Sequence, residues 1–286
     1  MNEKSLHIED LNPREEAFFS SGKLTWEKSK EQAWDEVFSG IEEKKPARTV
    51  AMWRKVSVGI AASIALLIAL GSFSWFFSKT VNCPTGEHFV AELPDGSVVE
   101  MNAASELKYF PVRWIVSRNL VFEGEGFFEV EKGKKFVVKS AYAKTAVLGT
   151  SFNIYSRDDL YKVACVTGKV RVTASNRESV ILNSNQQVVL RLGEELKKLE
   201  ALKKEEIISW RNNMFLFTAT PFHNVIKEIE RQYGISVSIE NGLDGTLTCN
   251  FNRRSDVEEV LALVCKPLGY KFVKQTEKKY LIVRNN

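Results

Sequence analysis

Histidine and cysteine are scarce in this chain, with three and four residues respectively among 286. His7, His88 and His223 lie far apart, and Cys83, Cys165, Cys249 and Cys265 form no CxxC pair. Metal cages need ligands clustered at short spacing, so no metal or cofactor site is expected. Strong charge of one sign is also missing. The net charge is +4, and no basic run with interleaved aromatics falls on one element, which argues against direct nucleic-acid binding. What the chain does have is apolar material. Hydrophobic residues make up 44%, including 18 phenylalanines, enough for packed cores.

One apolar run stands apart. Val56 to Phe77 (VSVGIAASIALLIALGSFSWFF) is 22 residues without a charge. At a helical rise of about 1.5 Å per residue it matches the ~30 Å hydrocarbon core of a bilayer. Trp53 and Trp75 stand near the two ends, where indoles favour the interface. The run is too long, and lacks a clear A-x-A site, for a cleaved signal peptide. A single transmembrane helix over 56–77 is expected. Lys44, Lys45, Arg48, Arg54 and Lys55 precede it with no acid among residues 44–55, whereas residues 78–88 hold one lysine and one glutamate. Positive-inside then places residues 1–55 in the cytoplasm and the C-terminal part across the membrane, in the periplasm of a bacterium with an outer membrane. The four cysteines all fall on that far side, where disulfides and buried free thiols are both open.

Residues 1–43 carry five basic and eleven acidic side chains. Asn12-Pro13-Arg14-Glu15 resembles a helix start, and Thr25 is the expected cap of a second helix, WEKSKEQAWDEVFSGIEEK. Trp26, Trp34, Val37, Phe38 and Ile41 fall on one stripe of it. Two short helices cannot bury two tryptophans between themselves. An acidic helix is poorly suited to anionic lipid, so a protein partner is the expected cover.

Beyond His88 the pattern turns to period two, interrupted by turn signals such as Pro94-Asp95-Gly96-Ser97 and Thr167-Gly168-Lys169. Residues 78–193 are expected to form an all-β domain, a sandwich or a twisted solenoid-like stack. Within it, LVFEGEGFFEVE (120–131) holds Glu123, Glu125, Glu129 and Glu131. Paired carboxylates are what a glycosidase needs. Alternation, however, puts all four on one strand face, opposite Phe122 and Phe128, and that face reads as solvated. A raised pKa needs burial, so the acids are expected to be surface charge rather than an active site.

The blocks LPDGSVVEMNAASELKYF (93–110), VFEGEGFFEVEKGKKFVV (121–138), AVLGTSFNIYS (146–156) and VACVTGKVRV (163–172) resemble, in order, the signatures of the FecR family. Met101 stands where leucine is usual, and Phe127 where a small residue is usual. The resemblance covers roughly residues 88–190. It implies a single-pass inner-membrane regulator with no catalysis of its own. Such a protein contacts an ECF-type sigma factor through its cytoplasmic segment. Through its periplasmic segment it receives a signal from a TonB-dependent outer-membrane transporter.

After a charged stretch, 194–209, expected as a linker with some helix, residues 210–286 contain a weak repeat. FTATPFHNVIKEIERQYGISVSI (217–239) and FNRRSDVEEVLALVCKPLGYKFV (251–273) both read strand, helix, glycine, strand. Phe217 matches Phe251, Ile226 matches Val260 and Ile229 matches Leu263. The expectation is a small α+β module of βαβ repeats. It is similar to the C-terminal domain of FecR proteins in Bacteroidota and to the secretin and TonB short N-terminal fold. Its expected edge strands are Met214–Thr218 and Tyr280–Arg284, giving Met214, Leu216, Thr218, Tyr280, Ile282 and Arg284 as contacts for the transporter's signalling domain. The stripe at Trp26, Trp34, Val37, Phe38 and Ile41 is the expected sigma-factor contact. Two other functions compete: an envelope-anchored hydrolase, for which three scattered histidines offer little, and an envelope adaptor or glycan-binding scaffold, which would not need the tryptophan-bearing tail.

Overall fold

Strand pairing in the all-β region is organised by one long strand that changes partners halfway along. The computed structural model describes residues 13, 14, 17, 28–40, 49–200, 207–254 and 256–285. In the N-terminal part, Pro13, Arg14 and Ala17 are helical, and helix α1 spans Lys30–Ser39. Helix α2 runs from Thr49 to Phe76, 28 residues. Trp53–Phe76 is, among the described residues, the one helix long and apolar enough to cross a membrane. It starts earlier than the uncharged run, so Arg54 and Lys55 lie in its first turns rather than before it.

Two residues after α2 the chain enters β1 (Lys79–Cys83), followed by β2 (Phe89–Glu92), β3 (Val98–Met101) and β4 (Ser105–Tyr109). A four-residue helix, α3 (Pro111–Trp114), leads into β5 (Arg118–Glu129). Then come β6 (Phe136–Lys139), β7 (Ala143–Val147), β8 (Ser151–Arg157), β9 (Leu160–Thr167), β10 (Lys169–Ala174), β11 (Ser179–Asn183), β12 (Gln186–Arg191) and β13 (Lys197–Leu199). The first half of β5 pairs with β4 and, in parallel, with β6; its second half pairs with β3 and β8. One sheet therefore reads β1-β4-β5-β6-β7-β10-β11 and the other β2-β3-β5-β8-β9-β12-β13. Gly124 sits at the crossover with φ +112°, and a Cβ there would run into Ser105, so only glycine fits.

The even positions of β5 point into one core with side chains from both sheets, among them Leu107, Phe136, Val163 and Val188. Phe122 packs edge-on against Phe128 at 5.1 Å, and Phe128 stacks on Phe152 at 5.1 Å. Of the two architectures expected, the sandwich is the one formed. In the 194–209 stretch, Lys197–Leu199 is a strand paired with β12, and Ser209–Asn212 is a 3-10 turn.

The C-terminal part contains β14 (Met214–Pro221), α4 (Phe222–Tyr233), β15 (Ser236–Ile239), β16 (Thr246–Asn252), α5 (Val257–Cys265), β17 (Tyr270–Thr276) and β18 (Lys279–Arg284). Gly234 and Gly269, the matched glycines of the repeat, both adopt the left-handed conformation that ends a helix. The repeat is imperfect, because Ile229 is buried while its counterpart Leu263 is exposed. β14 and β16 pair with each other, and β15-β18-β17 form a second sheet around a separate core. All four cysteines are unpaired. Burial pushes the Cys165 and Cys265 thiols up, to about 11 and about 12, which keeps them protonated and unreactive.

Candidate functional site

Helix α1 begins with a capping box. The Ser29 hydroxyl accepts from the Gln32 backbone N–H at 3.3 Å, and the Gln32 side chain accepts from the Ser29 N–H at 3.1 Å. The cap is thus Ser29, four residues later than the expected Thr25, because the serine has glutamine at the third helical position to complete the pair. Trp34, Val37 and Phe38 follow at i, i+3 and i+4 spacing and are 54%, 59% and 60% exposed. The Trp34 and Phe38 rings stack with centroids 5.5 Å apart. Trp26 and Ile41 lie outside the described residues. Among the described residues, the helix buries none of its side chains.

The second candidate lies on the odd face of β5. Register places Glu100, Phe127, Asn153, Ala164 and Gln187 in one row across five strands. Glu125, Tyr155 and Lys162 form the next row. Here the expectation of a solvated face needs correction. Glu123, Glu129 and Glu131 are exposed, but Glu125 is half-buried, because the C-terminal part covers this region. Trp210 packs with Phe127, Ala164 and Val166 and donates its indole N–H to Asn153 at 3.0 Å. Arg211 lies 4.0 Å over the Phe127 ring and forms a two-pronged pair with Glu100. From α4, Gln232 donates its amide N–H to Asn102 at 2.6 Å, and its amide oxygen accepts from the His88 ring Nε2 at 3.1 Å. Arg231 and Lys227 both reach Asp158, at 3.0 and 3.1 Å, and Arg157 reaches Glu228 at 3.5 Å. The phenylalanine among the acids, Phe127, is the one sequence signal that this face is covered.

Electrostatics follow from that cover. Desolvation and the nearby Glu228 charge raise the Glu125 carboxyl above its ordinary value of 4.5, against the opposing pull of Arg157 and the Asn102 and Asn153 amides. Desolvation also pushes Glu228 upward, but the Arg157 and Arg231 guanidinia outweigh it and hold Glu228 low. Desolvation lowers Lys162. A cavity of about 230 Å³ remains beside these groups, with Tyr155, Lys162, Trp210, Met214 and Leu216 in its wall. Each carboxylate is engaged by amides or guanidinia, which suits holding two parts together.

A pH test separates the two kinds of glutamate. An acid whose folded-state pKa is raised binds its proton more tightly folded than unfolded, so its contribution falls as pH rises above the unfolded value. Glu125→Gln should match wild type in thermal unfolding near pH 4 and become progressively the more stable as pH rises to 7. A gap that closes or reverses with rising pH would contradict the burial of Glu125. Glu123→Gln, on the exposed position, should stay within about 0.5 kcal/mol throughout.

The expected transporter contacts divide. Met214, Leu216 and Thr218 lie on the exposed side of β14, whose single strand partner among the described residues is β16. Tyr280 and Ile282 do not lie on an edge. β18 is the middle strand, parallel to β15 and antiparallel to β17, and both side chains are buried in the module's core. Arg284, at the end of β18, is exposed.

Comparison with known proteins bears on both halves beyond the helix. The profile described as FecR protein matches residues 79–171, and the profile described as FecR, C-terminal, matches residues 214–283. Two crystal structures of a candidate anti-sigma factor from Parabacteroides distasonis ATCC 8503, at 2.50 and 1.65 Å resolution, are each 27% identical to this chain. Each covers 73% of this chain and 100% of the solved one, with TM-scores of 0.67 and 0.66. No curated protein matches. The two family profiles together span more than half of the sequence, in the order and over the elements described above, and the chain belongs to the FecR family.

Proposed function

We propose that this protein is an anti-sigma factor, a single-pass regulator of the bacterial inner membrane with its N-terminus in the cytoplasm. In this reading, residues 1–55 hold an ECF-type sigma factor. The domains after α2 lie in the periplasm and receive the signal of a TonB-dependent outer-membrane transporter. The observation that carries the reading is the stacked, exposed Trp34–Phe38 pair on the segment before the membrane-length helix, with the FecR domains after it. A helix offering anchors at i, i+3 and i+4 suits a groove on a partner, and tryptophans dominate such contacts. The acidic balance of residues 1–43 complements a basic, DNA-binding partner and favours encounter. On the other side, the edge of β14 at Met214, Leu216 and Thr218, which pairs with no strand other than β16 among the described residues, supports strand addition by a transporter signalling domain.

The test is a pull-down of the full chain in detergent with the sigma factor encoded beside it. Wild type should bind, and Trp34→Ala should weaken binding about thirty-fold, equivalent to ~2 kcal/mol. Failure of the wild type to bind any sigma factor would refute the regulator reading in favour of an envelope adaptor.

A further inference from the structure

The junction between α2 and the sandwich carries a cationic, apolar surface that the regulator reading does not use. Only Phe77 and Ser78 separate the end of α2 from β1. β1 starts with Lys79 opposite Tyr109, the last residue of β4, so the β4–β5 turn is held at the same end of the sandwich as the helix exit. Arg113 on α3 fixes the join: its Nε donates to the Trp75 carbonyl at 2.8 Å, and its guanidinium lies 4.9 Å from the Phe76 ring centre and 4.4 Å from that of Phe110. Beyond it, Ile115 and Val116 are 80% and 65% exposed.

Charge is sorted along the strands. Lys108, Val121 and Lys139 are directly opposite one another across β4, β5 and β6, and the row continues to Lys144 on β7. The next row on the same face, Glu106 and Glu123, is two residues further from the helix exit, about 7 Å along the strand. A recess of about 290 Å³ opens beside the lysine row. Its wall includes Lys108, Arg113, Lys139, Phe110, Val116 and Trp75, and contains no carboxylate. Cations with long apolar stems, next to exposed aliphatic tips and aromatic rings, match the layering of headgroup phosphate over acyl chain.

We propose that this surface docks on the bilayer, with Ile115 and Val116 inserted at the acyl boundary and the phosphate of an anionic phospholipid headgroup held by Lys108, Arg113 and Lys139. The inference rests on the membrane crossing by α2, and extends it: the sandwich is seated on the lipid surface in a fixed orientation rather than tethered above it. With residues 110–117 pinned, the second half of β5 and the cover over Glu125 lie away from the membrane end of the strand, toward the side from which a periplasmic partner would come.

The experiment uses the full chain in nanodiscs of phosphatidylcholine with a minority of phosphatidylglycerol, the lipid being radiolabelled. A benzoyl-phenylalanine photo-crosslinker is placed at Val116, at Ile68 within α2, or at Val90 on β2, opposite the far half of the sandwich. Lipid should be captured from positions 116 and 68 and not from 90. Combining Lys108→Gln, Arg113→Gln and Lys139→Gln should lower capture from 116 at least about five-fold, the effect of removing even one cation from an anionic surface. Capture from 68 with none above background from 116 would overturn the docking while leaving the crossing intact. No capture from 68 would overturn the crossing itself. Undiminished capture from 116 in the triple variant would overturn the headgroup assignment.

Discussion

Replacing Phe128 by alanine is expected to unfold the sandwich. The side chain is fully buried, stacked on Phe152 and edge-on to Phe122, and it stands in the half of β5 that belongs to the second sheet. Truncating a buried phenylalanine costs about 3–5 kcal/mol, because the transfer term is lost and the cavity left behind collapses only in part. Against a typical total stability of about 5–15 kcal/mol, that is enough to leave a substantial unfolded fraction at physiological temperature. Urea unfolding of the full chain, followed by hydrogen exchange in β5, should show the loss. Glu129→Gln, one residue along on the exposed face, is the control and should barely register. The opposite ranking would mean the two faces of β5 have been assigned the wrong way round.

That assignment was legible from alternation alone. So were the turns, for a local reason. Asp95 accepts from the Ser97 backbone N–H at 3.2 Å and from its hydroxyl at 2.9 Å, while Gly96 takes a positive φ. This is chemistry contained in four consecutive residues. The Trp34, Val37 and Phe38 part of the stripe on α1 was visible for the same reason, since helical spacing is local, although the helix is capped at Ser29.

Two features were not legible, both because they depend on what arrives from elsewhere in the chain. Period two separates the faces of a strand without saying whether the polar one meets water or another domain. Glu125 and its neighbours are covered by residues some 85 or more positions downstream, and Phe127 alone betrayed it. Strand order inside a sheet is equally non-local. Tyr280 to Val283 is an unbroken apolar run, the composition of a strand with neighbours on both sides and cover on its faces, and β18 is indeed the middle strand of its sheet. Treating it as an edge confused position in the sequence with position in the sheet.

Trp210→Ala should separate the C-terminal module from the sandwich without unfolding either. The indole is buried against Phe127, Ala164, Val166 and Ile207, meets the His88 ring edge-on at 5.5 Å, and satisfies the Asn153 carbonyl oxygen. Its removal leaves a cavity and strands that oxygen, at a cost of about 3–5 kcal/mol. The sandwich and the module each keep a core of their own, in which Trp210 takes no part. The energy is therefore withdrawn from the contact between them, leaving it to the polar links, among them Arg211 on Glu100, Arg157 on Glu228, and those from Arg231, Lys227 and Gln232. A single amide reports on this. The Gly86 N–H donates to the Arg231 carbonyl at 2.8 Å, a backbone bond between the two parts that opens only when they part. In the variant its hydrogen exchange should accelerate at least about a hundred-fold, at tenfold for each 1.4 kcal/mol, while amides in β5 and in α4 keep their protection. Equal acceleration at all three places would show that the two cores unfold as one cooperative unit. No change at Gly86 would show that the Trp210 contact contributes nothing to holding the module in place.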